Sequence, residues 1–320
     1  LILAYVLLVL GFVFLIKGAD YFVDGASKIA AFLNISPLLI GLTIVAFGTS
    51  SPEATVSILA ALNGQSGVTL GNVVGSNIFN ITIVVGVTAF LYPLKVENET
   101  IRKEIPFTLL ASVVLLIFIS DTVLQGAAAN VITRGDGIVL LLFLVIFMYY
   151  IFEVASRSRE ETTEKAESPG RKAWSKYIII SVAGLAGIIL GGELVVRSST
   201  SIALSFGMSE TLVGLTIVAL GTSLPELVTS VTAAIKKQSE IALGNVVGSN
   251  IFNILLVTGA ASVITPLSVD DRIFTDISLM IVLTVLLLIF SRTKFRIARS
   301  EGIVLVISYV LYLIYIILRN

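Results

Sequence analysis

The chain has 320 residues, 56% hydrophobic and 13% charged, and its mean hydropathy of +1.02 means more apolar surface than a water-soluble domain can bury. Its 21 basic and 21 acidic residues cancel, which excludes the broad positive field that recruits nucleic acid. With no cysteine and no histidine, disulfides, thiolate metal sites, Ser-His catalysis and histidine proton relays are excluded, leaving carboxylates, amides and hydroxyls for chemistry.

Crossing a bilayer takes roughly 20 predominantly apolar residues. Windows of that order predict ten membrane helices, at about 1–16, 37–62, 68–92, 105–124, 136–152, 177–196, 211–235, 241–266, 274–291 and 302–318. The first run lacks a small-residue cleavage site, continues into the amphipathic "DYFVDGASKIAAFL" and has a counterpart around 178–205. It therefore reads as a membrane helix rather than a signal peptide.

The second window carries "GLTIVAFGTSSPEATVS" at 41–57. Gly48 loosens this helix and Pro52 has no N–H to donate, so a break is predicted, with Pro52 at the start of a second half-helix and the carbonyls of Ala46, Phe47 and Thr49 free to face a polar cavity. Thr49, Ser50 and Ser57 fall on the helix face of Glu53. An ionisable side chain at the bilayer centre costs ~2.5–3.5 kcal/mol, and no Lys or Arg lies in the motif. A bound cation is the most economical counter-charge.

The third window contains "GNVVGSNIFNI" at 71–81, which places Asn72, Ser76 and Asn80 on one polar stripe. Such stripes are either ion ligands or hydrogen-bonding glue between helices. For Ser76 and Asn80 ligation is the preferred reading, whereas for Asn72 the two stand level. After the fourth and fifth windows comes "SRSREETTEKAESPGRKAWSK" at 156–176, read as a solvated linker. The expected organisation is a first five-helix repeat at 1–153, a linker at 154–176 and a second repeat at 177–320.

The second half repeats the first. Between 42–57 and 215–230 eleven of sixteen positions are identical at an offset of 173, and "GNVVGSNIFNI" recurs unchanged at 244–254. Thr222, Ser223, Glu226, Ser249 and Asn253 thus copy Thr49, Ser50, Glu53, Ser76 and Asn80, and Asn245 copies Asn72. Five spans per copy reverse the second copy's direction, so the fold class expected is an all-α membrane protein of ten transmembrane helices in two inverted five-helix repeats, an architecture typical of secondary transporters. Loops after the odd-numbered spans hold 17 of the 21 basic residues, the exceptions being Arg134, Arg197, Arg272 and Arg319. Basic residues stay cytoplasmic, which puts both termini outside and the linker inside.

Two carboxylates among amide, hydroxyl and carbonyl oxygens make a hard site of formal charge −2, suited to Ca²⁺, with neutral-oxygen subsites beside it for Na⁺. The same two carboxylates balance one divalent ion or several monovalent ones, as an antiporter requires. A passive cation channel is an alternative, because carboxylate rings also conduct. A membrane enzyme using a serine of the GTS segments lacks any evident general base, since neither Lys17 nor Lys28 has a route to them.

"GTSSPE" and "GTSLPE", each followed by "GNVVGSNIFN", resemble the alpha repeats of the sodium/calcium exchanger branch of the calcium/cation antiporter superfamily, and the resemblance extends over all ten spans. It implies calcium carboxylates at Glu53 and Glu226, contributing backbone carbonyls at Thr49 and Thr222, sodium-site groups at Ala46, Ser50, Ser76, Ala219, Ser223 and Ser249, and mid-site positions at Asn80 and Asn253. Potassium-dependent relatives, and some archaeal exchangers, carry aspartate at the position of Asn253, so its amide argues against potassium dependence. The resemblance further implies electrogenic exchange by alternating access in the cell membrane, with Ca²⁺ and Na⁺ as substrates and the bilayer as surroundings. No cofactor, no nucleic acid, no obligate protein partner and no enzymatic activity are expected. A Ca²⁺/H⁺ antiporter of the same superfamily, in which Glu53 and Glu226 carry protons, is the runner-up, although there the carboxylate typically follows a Gly-Asn-x-x-Glu motif.

Overall fold

The computed structural model describes residues 2–98, 100–161, 171–206 and 219–319. The middle of the expected linker and the first part of the seventh window, 211–218, lie outside the described residues. The helices are α1 (Ile2–Leu33), α2 (Pro37–Thr49), α3 (Ser51–Leu62), α4 (Ser66–Leu91), α5 (Ile105–Phe118), α6 (Arg134–Glu161), α7 (Arg171–Ser205), α8 (Ala219–Thr222), α9 (Leu224–Ile235), α10 (Ser239–Ile264), α11 (Arg272–Arg292) and α12 (Arg299–Arg319). Among the described residues seven are long and apolar enough to cross a membrane, namely α1, α4, α6, α7, α10, α11 and α12, and α2 with α3 make an eighth if that bent pair is one span. Of the two remaining windows, the fourth holds α5, 14 residues long, and the described part of the seventh holds α8 and α9, the latter 12 residues long. A π turn, Thr100–Glu104, precedes α5.

By its contacts the chain forms two compact units, Leu1–Pro52 with Ile151–Asn245, and Glu53–Tyr150 with Val246–Asn320. Neither coincides with a sequence repeat, because each takes segments from both copies.

In the first unit α1 and α7 run antiparallel in backbone contact. A Cβ built on Gly18 would lie 2.7 Å from the Gly184 carbonyl oxygen, and one on Gly11 would lie 3.0 Å from that of Gly191. Gly184 and Gly191 are the copies of Gly11 and Gly18, so the contact maps onto itself when the repeats are exchanged. Small residues let membrane helices approach this closely. The turn after α9 is tied to α1 by Lys236, whose Nζ lies 2.6 Å from Asp20 and 2.7 Å from Asp24. Burial alone would lower the Lys236 pKa, but hydrogen bonds to Asp20 and Asp24 outweigh it and hold the ammonium above its ordinary value.

In the second unit two short antiparallel ladders tie the copies together. β1 (Leu94–Lys95) pairs with β4 (Arg296–Ile297), and β2 (Val131–Ile132) pairs with β3 (Leu267–Ser268). The Ser268 N–H in β3, just past α10, donates to Ser66 Oγ at the start of α4, so these two equivalent helices run antiparallel. Two close approaches repeat as well. A Cβ on Gly86 would sit 2.7 Å from the Gly302 carbonyl, and one on Gly137 2.8 Å from the Gly259 carbonyl. At the far end Arg319 forks onto both oxygens of Asp276, at 3.0 Å each.

α3 and α9 end in the same way. The N–H groups of Gly64 and Gln65 reach back to Ala61 and Ala60, and those of Lys237 and Gln238 to Ala234 and Ala233, the double bond of a Schellman cap. The residue in the left-handed conformation is Gly64 (φ 71°) in one copy and Lys237 (φ 63°) in the other. Lysine pays a steric penalty there that glycine escapes, so Lys237→Gly is expected to stabilise the protein by ~1 kcal/mol. Thermal unfolding in detergent measures it; a lowered transition would mean the Lys237 side chain contributes more than its backbone costs.

Candidate functional site

Both copies of the acidic motif break their helix at the residue before the Ser/Leu-Pro-Glu turn. Ser50 adopts φ −80°, ψ 5° between α2 and α3, which are bent by 48°. Ser223 adopts φ −93°, ψ 7° between α8 and α9. These angles lie in the sparsely occupied bridge region, where many active-site residues are found. Proline follows as the second residue of the next helix, one place later than predicted, where its missing N–H costs no intrahelical bond. The break is a bend in which some expected free carbonyls are used. The Ala46 carbonyl accepts the Ser50 N–H at 3.0 Å, and the Phe47 carbonyl accepts the Ser51 hydroxyl at 3.0 Å.

In the first unit Glu226 is fully buried, and Ser50 Oγ donates to its Oε1 at 3.0 Å. The break on the first copy thus delivers its hydroxyl to the carboxylate of the second. Asn245 donates to the Glu226 carbonyl at 3.3 Å and to Ser230 Oγ at 2.9 Å, and its Oδ1 accepts from Thr49 Oγ1 at 2.9 Å. Ala46, Thr49, Ser50, Thr222 and Ser223 are all buried. Ala219 opens α8, and its side chain lies outside the described residues.

In the second unit Glu53 is fully buried, and Asn72 donates to the Glu53 carbonyl at 3.2 Å and to Ser57 Oγ at 2.9 Å. These two donations repeat those of Asn245 residue for residue. Asn72 and Asn245 pin the helix turn that carries each glutamate, which is the interhelical glue of the two readings left open by the sequence. Ser76, Asn80, Ser249 and Asn253 are buried as well. Asn80 opens a π turn, Asn80–Val84, and Asn253 lies in its copy, Phe252–Thr258; π turns frequently mark functional sites. Asn77 and Asn250, which the sequence reading passed over, accept hydrogen bonds from Asn253 and Asn80 respectively. Their signal was present, since Asn77 stands three residues before Asn80 and the same spacing recurs in the second copy.

Two buried carboxylates, each set among hydroxyls and amides and duplicated with the chain, are the chemistry of a cation path. The profile of the family described as sodium/calcium exchanger protein matches residues 3–153 and again 176–318. The chain belongs to the sodium/calcium exchanger family. Like its relatives, this family member is an integral multi-pass membrane protein, and the two matched segments are its two repeats. It is 40% identical over 316 residues to CaxA of Alkalimonas amylolytica, covering 98% of both chains. To the sodium/calcium exchanger MaX1 of Methanosarcina acetivorans it is 36% identical over 344 residues, covering 97% of both. Among solved structures it resembles the sodium-calcium exchanger NCX_Mj with a TM-score of 0.85 at 30% identity, covering 98% of both chains.

Proposed function

We propose that this family member is a secondary active antiporter that exchanges Na⁺ for Ca²⁺ by alternating access, electrogenically and without potassium. The observation that carries this reading is the complete burial of Glu53 and Glu226 in motifs that contain hydroxyl and amide groups and no basic residue. Buried carboxylates in motifs that contain no Lys or Arg favour a cation, and an all-oxygen set of charge −2 suits Ca²⁺ or more than one Na⁺. In this reading Glu53 and Glu226 are the calcium carboxylates, Thr49 and Thr222 lend backbone oxygens, and Ala46, Ala219, Ser50, Ser223, Ser76 and Ser249 serve sodium. The Ala46 carbonyl keeps its bond from the Ser50 N–H and has a second lone pair to offer the ion. Asn80 and Asn253 supply neutral oxygens, which leaves the charge at −2 and favours independence from potassium. The ten windows form ten spans in two inverted five-helix repeats, with both termini outside and the linker cytoplasmic.

Sodium-loaded proteoliposomes, with potassium and pH gradients controlled, test the reading. Uptake of ⁴⁵Ca²⁺ is expected only with an outward sodium gradient, and an inside-positive potential set with potassium and valinomycin is expected to speed it. Each net charge crossing the membrane is worth ~2.3 kcal/mol per 100 mV, roughly fiftyfold in the sustainable calcium ratio. Uptake driven by a proton gradient alone would replace this reading with Ca²⁺/H⁺ antiport. Sodium-driven uptake indifferent to the clamp would mean electroneutral exchange, and flux that persists without a counter-ion would mean a channel.

A further inference from the structure

Four asparagines of the second unit, Asn77, Asn80, Asn250 and Asn253, are 1%, 0%, 2% and 0% exposed and form one hydrogen-bonded group. Asn77 Nδ2 donates to the backbone carbonyl of Asn250 at 3.3 Å, and Asn253 Nδ2 donates to Asn77 Oδ1 at 3.1 Å. Asn80 Nδ2 donates to Asn250 Oδ1 at 3.2 Å. The last two bonds are copies of each other, since exchanging the repeats turns Asn80–Asn250 into Asn253–Asn77. The polarity of the Asn77 arm is fixed by its first link. A backbone carbonyl can only accept, so Asn77 must present its nitrogen there and its oxygen to Asn253. Asn253 must then answer with its nitrogen. What remains is the Oδ1 of Asn253 and, in the other arm, that of Asn80. Both oxygens are buried and have no hydrogen-bond partner among the described residues, an unusual state for a buried polar atom and one that asks for a ligand.

We infer that Asn77 and Asn250 are positioning residues, each holding the amide of the opposite repeat's Asn253 or Asn80 nitrogen-inward, so that both positions offer a cation a bare carbonyl oxygen. The inference rests on the proposed reading of Asn80 and Asn253 as ion ligands and adds what fixes their orientation. A free asparagine amide can turn either its oxygen or its NH₂ toward an ion, and only the oxygen binds. Each ligand is oriented by the copy of the motif to which it does not belong, so neither repeat can present its own asparagine correctly alone.

Asn250→Leu removes the acceptor for Asn80, whereas Asn250→Asp keeps an oxygen at that place. Partners behind a metal ligand typically change affinity 10–100-fold, so Asn250→Leu is expected to raise the half-saturating Ca²⁺ concentration about tenfold or more in proteoliposomes, with the maximal rate changed less than about threefold. Asn250→Asp is expected to recover most of that loss. In ion-free, detergent-solubilised full-length protein labelled with ¹⁵N-asparagine, the Asn80 side-chain amide protons should exchange slowly in the wild type and in Asn250→Asp, and roughly tenfold faster in Asn250→Leu. Should Asn250→Leu not yield folded protein, Asn77→Leu makes the same comparison on the Asn253 amide. A maximal rate that falls at unchanged half-saturation, an Asn250→Asp variant as impaired as Asn250→Leu, or protected amide protons in the leucine variant would each overturn the inference. Failure of the wild type to move calcium would remove the transport reading instead, and the ion-free exchange measurement would still decide whether the orientation is held.

Discussion

Glu226→Gln, and separately Glu53→Gln, are expected to abolish sodium-driven calcium uptake while leaving the protein folded. At an effective dielectric of about 20, a carboxylate 4 Å from a divalent ion contributes about 8 kcal/mol before desolvation is counted, and a third of that is already about a hundredfold in affinity. The amide introduced at position 226 still offers an oxygen to Ser50 Oγ, which now donates to Glu226 Oε1 at 3.0 Å. Burying a neutral amide costs less than burying a carboxylate, so the ion-free protein should unfold at the same temperature or higher. The diagnostic change is in linkage. Calcium at 100 times its dissociation constant stabilises a binding protein by about 2.7 kcal/mol, and both variants should lose that thermal shift. Retention of the shift and of uptake in both would remove the glutamates from the ion path.

Gly184→Leu is expected to prevent proper packing of α7 against α1. A Cβ at this position would lie 2.6 Å from the Phe22 amide nitrogen and 2.8 Å from the Gly18 carbonyl oxygen. Both are backbone atoms, which cannot rotate aside, so the cost belongs at or above the upper end of the 1–3 kcal/mol usual for overpacking, with a fall in unfolding temperature on the order of 10 °C. Gly192→Ala on the same helix is the control. Its new methyl would meet the Pro225 ring at 3.6 Å, ordinary contact, and alanine is the better helix former by ~1 kcal/mol. Size-exclusion profiles and thermal unfolding of the two variants should therefore move in opposite directions. A Gly184→Leu protein as stable as the wild type would mean that α1 and α7 are not held at this distance.

The duplicated motifs were legible because duplication fixes its own alignment: Gly48, Pro52 and Glu53 recur as Gly221, Pro225 and Glu226, and the helix bends where Pro52 and its copy require it. Apolar length was a poorer guide. It measures how much chain can lie in lipid but not where the helix starts and stops, and the helix of the fourth window starts earlier, in a π turn carrying Arg102, Lys103 and Glu104, and α5 ends at Phe118. The glycine contacts of α1 with α7 depend on two helices far apart in sequence, which hydropathy does not report. Asn77 escaped notice for a related reason. It lies off the i, i+4 stripe of Asn72, Ser76 and Asn80, and its importance comes from a carbonyl of Asn250 in the other copy.

Because each compact unit takes segments from both copies, synthesis imposes a wait. The glycine face of α1 enters the membrane before α7, and the residues that fill it, Gly184 and Gly191, lie some 173 residues further along. At about 5–20 residues per second that separation lasts roughly 10–35 s, during which lipid, or a helper protein of the insertion machinery, must occupy the cleft. A ribosome that stalls late in the interval, past residue 153, leaves a fragment holding every span of the first copy but neither unit complete.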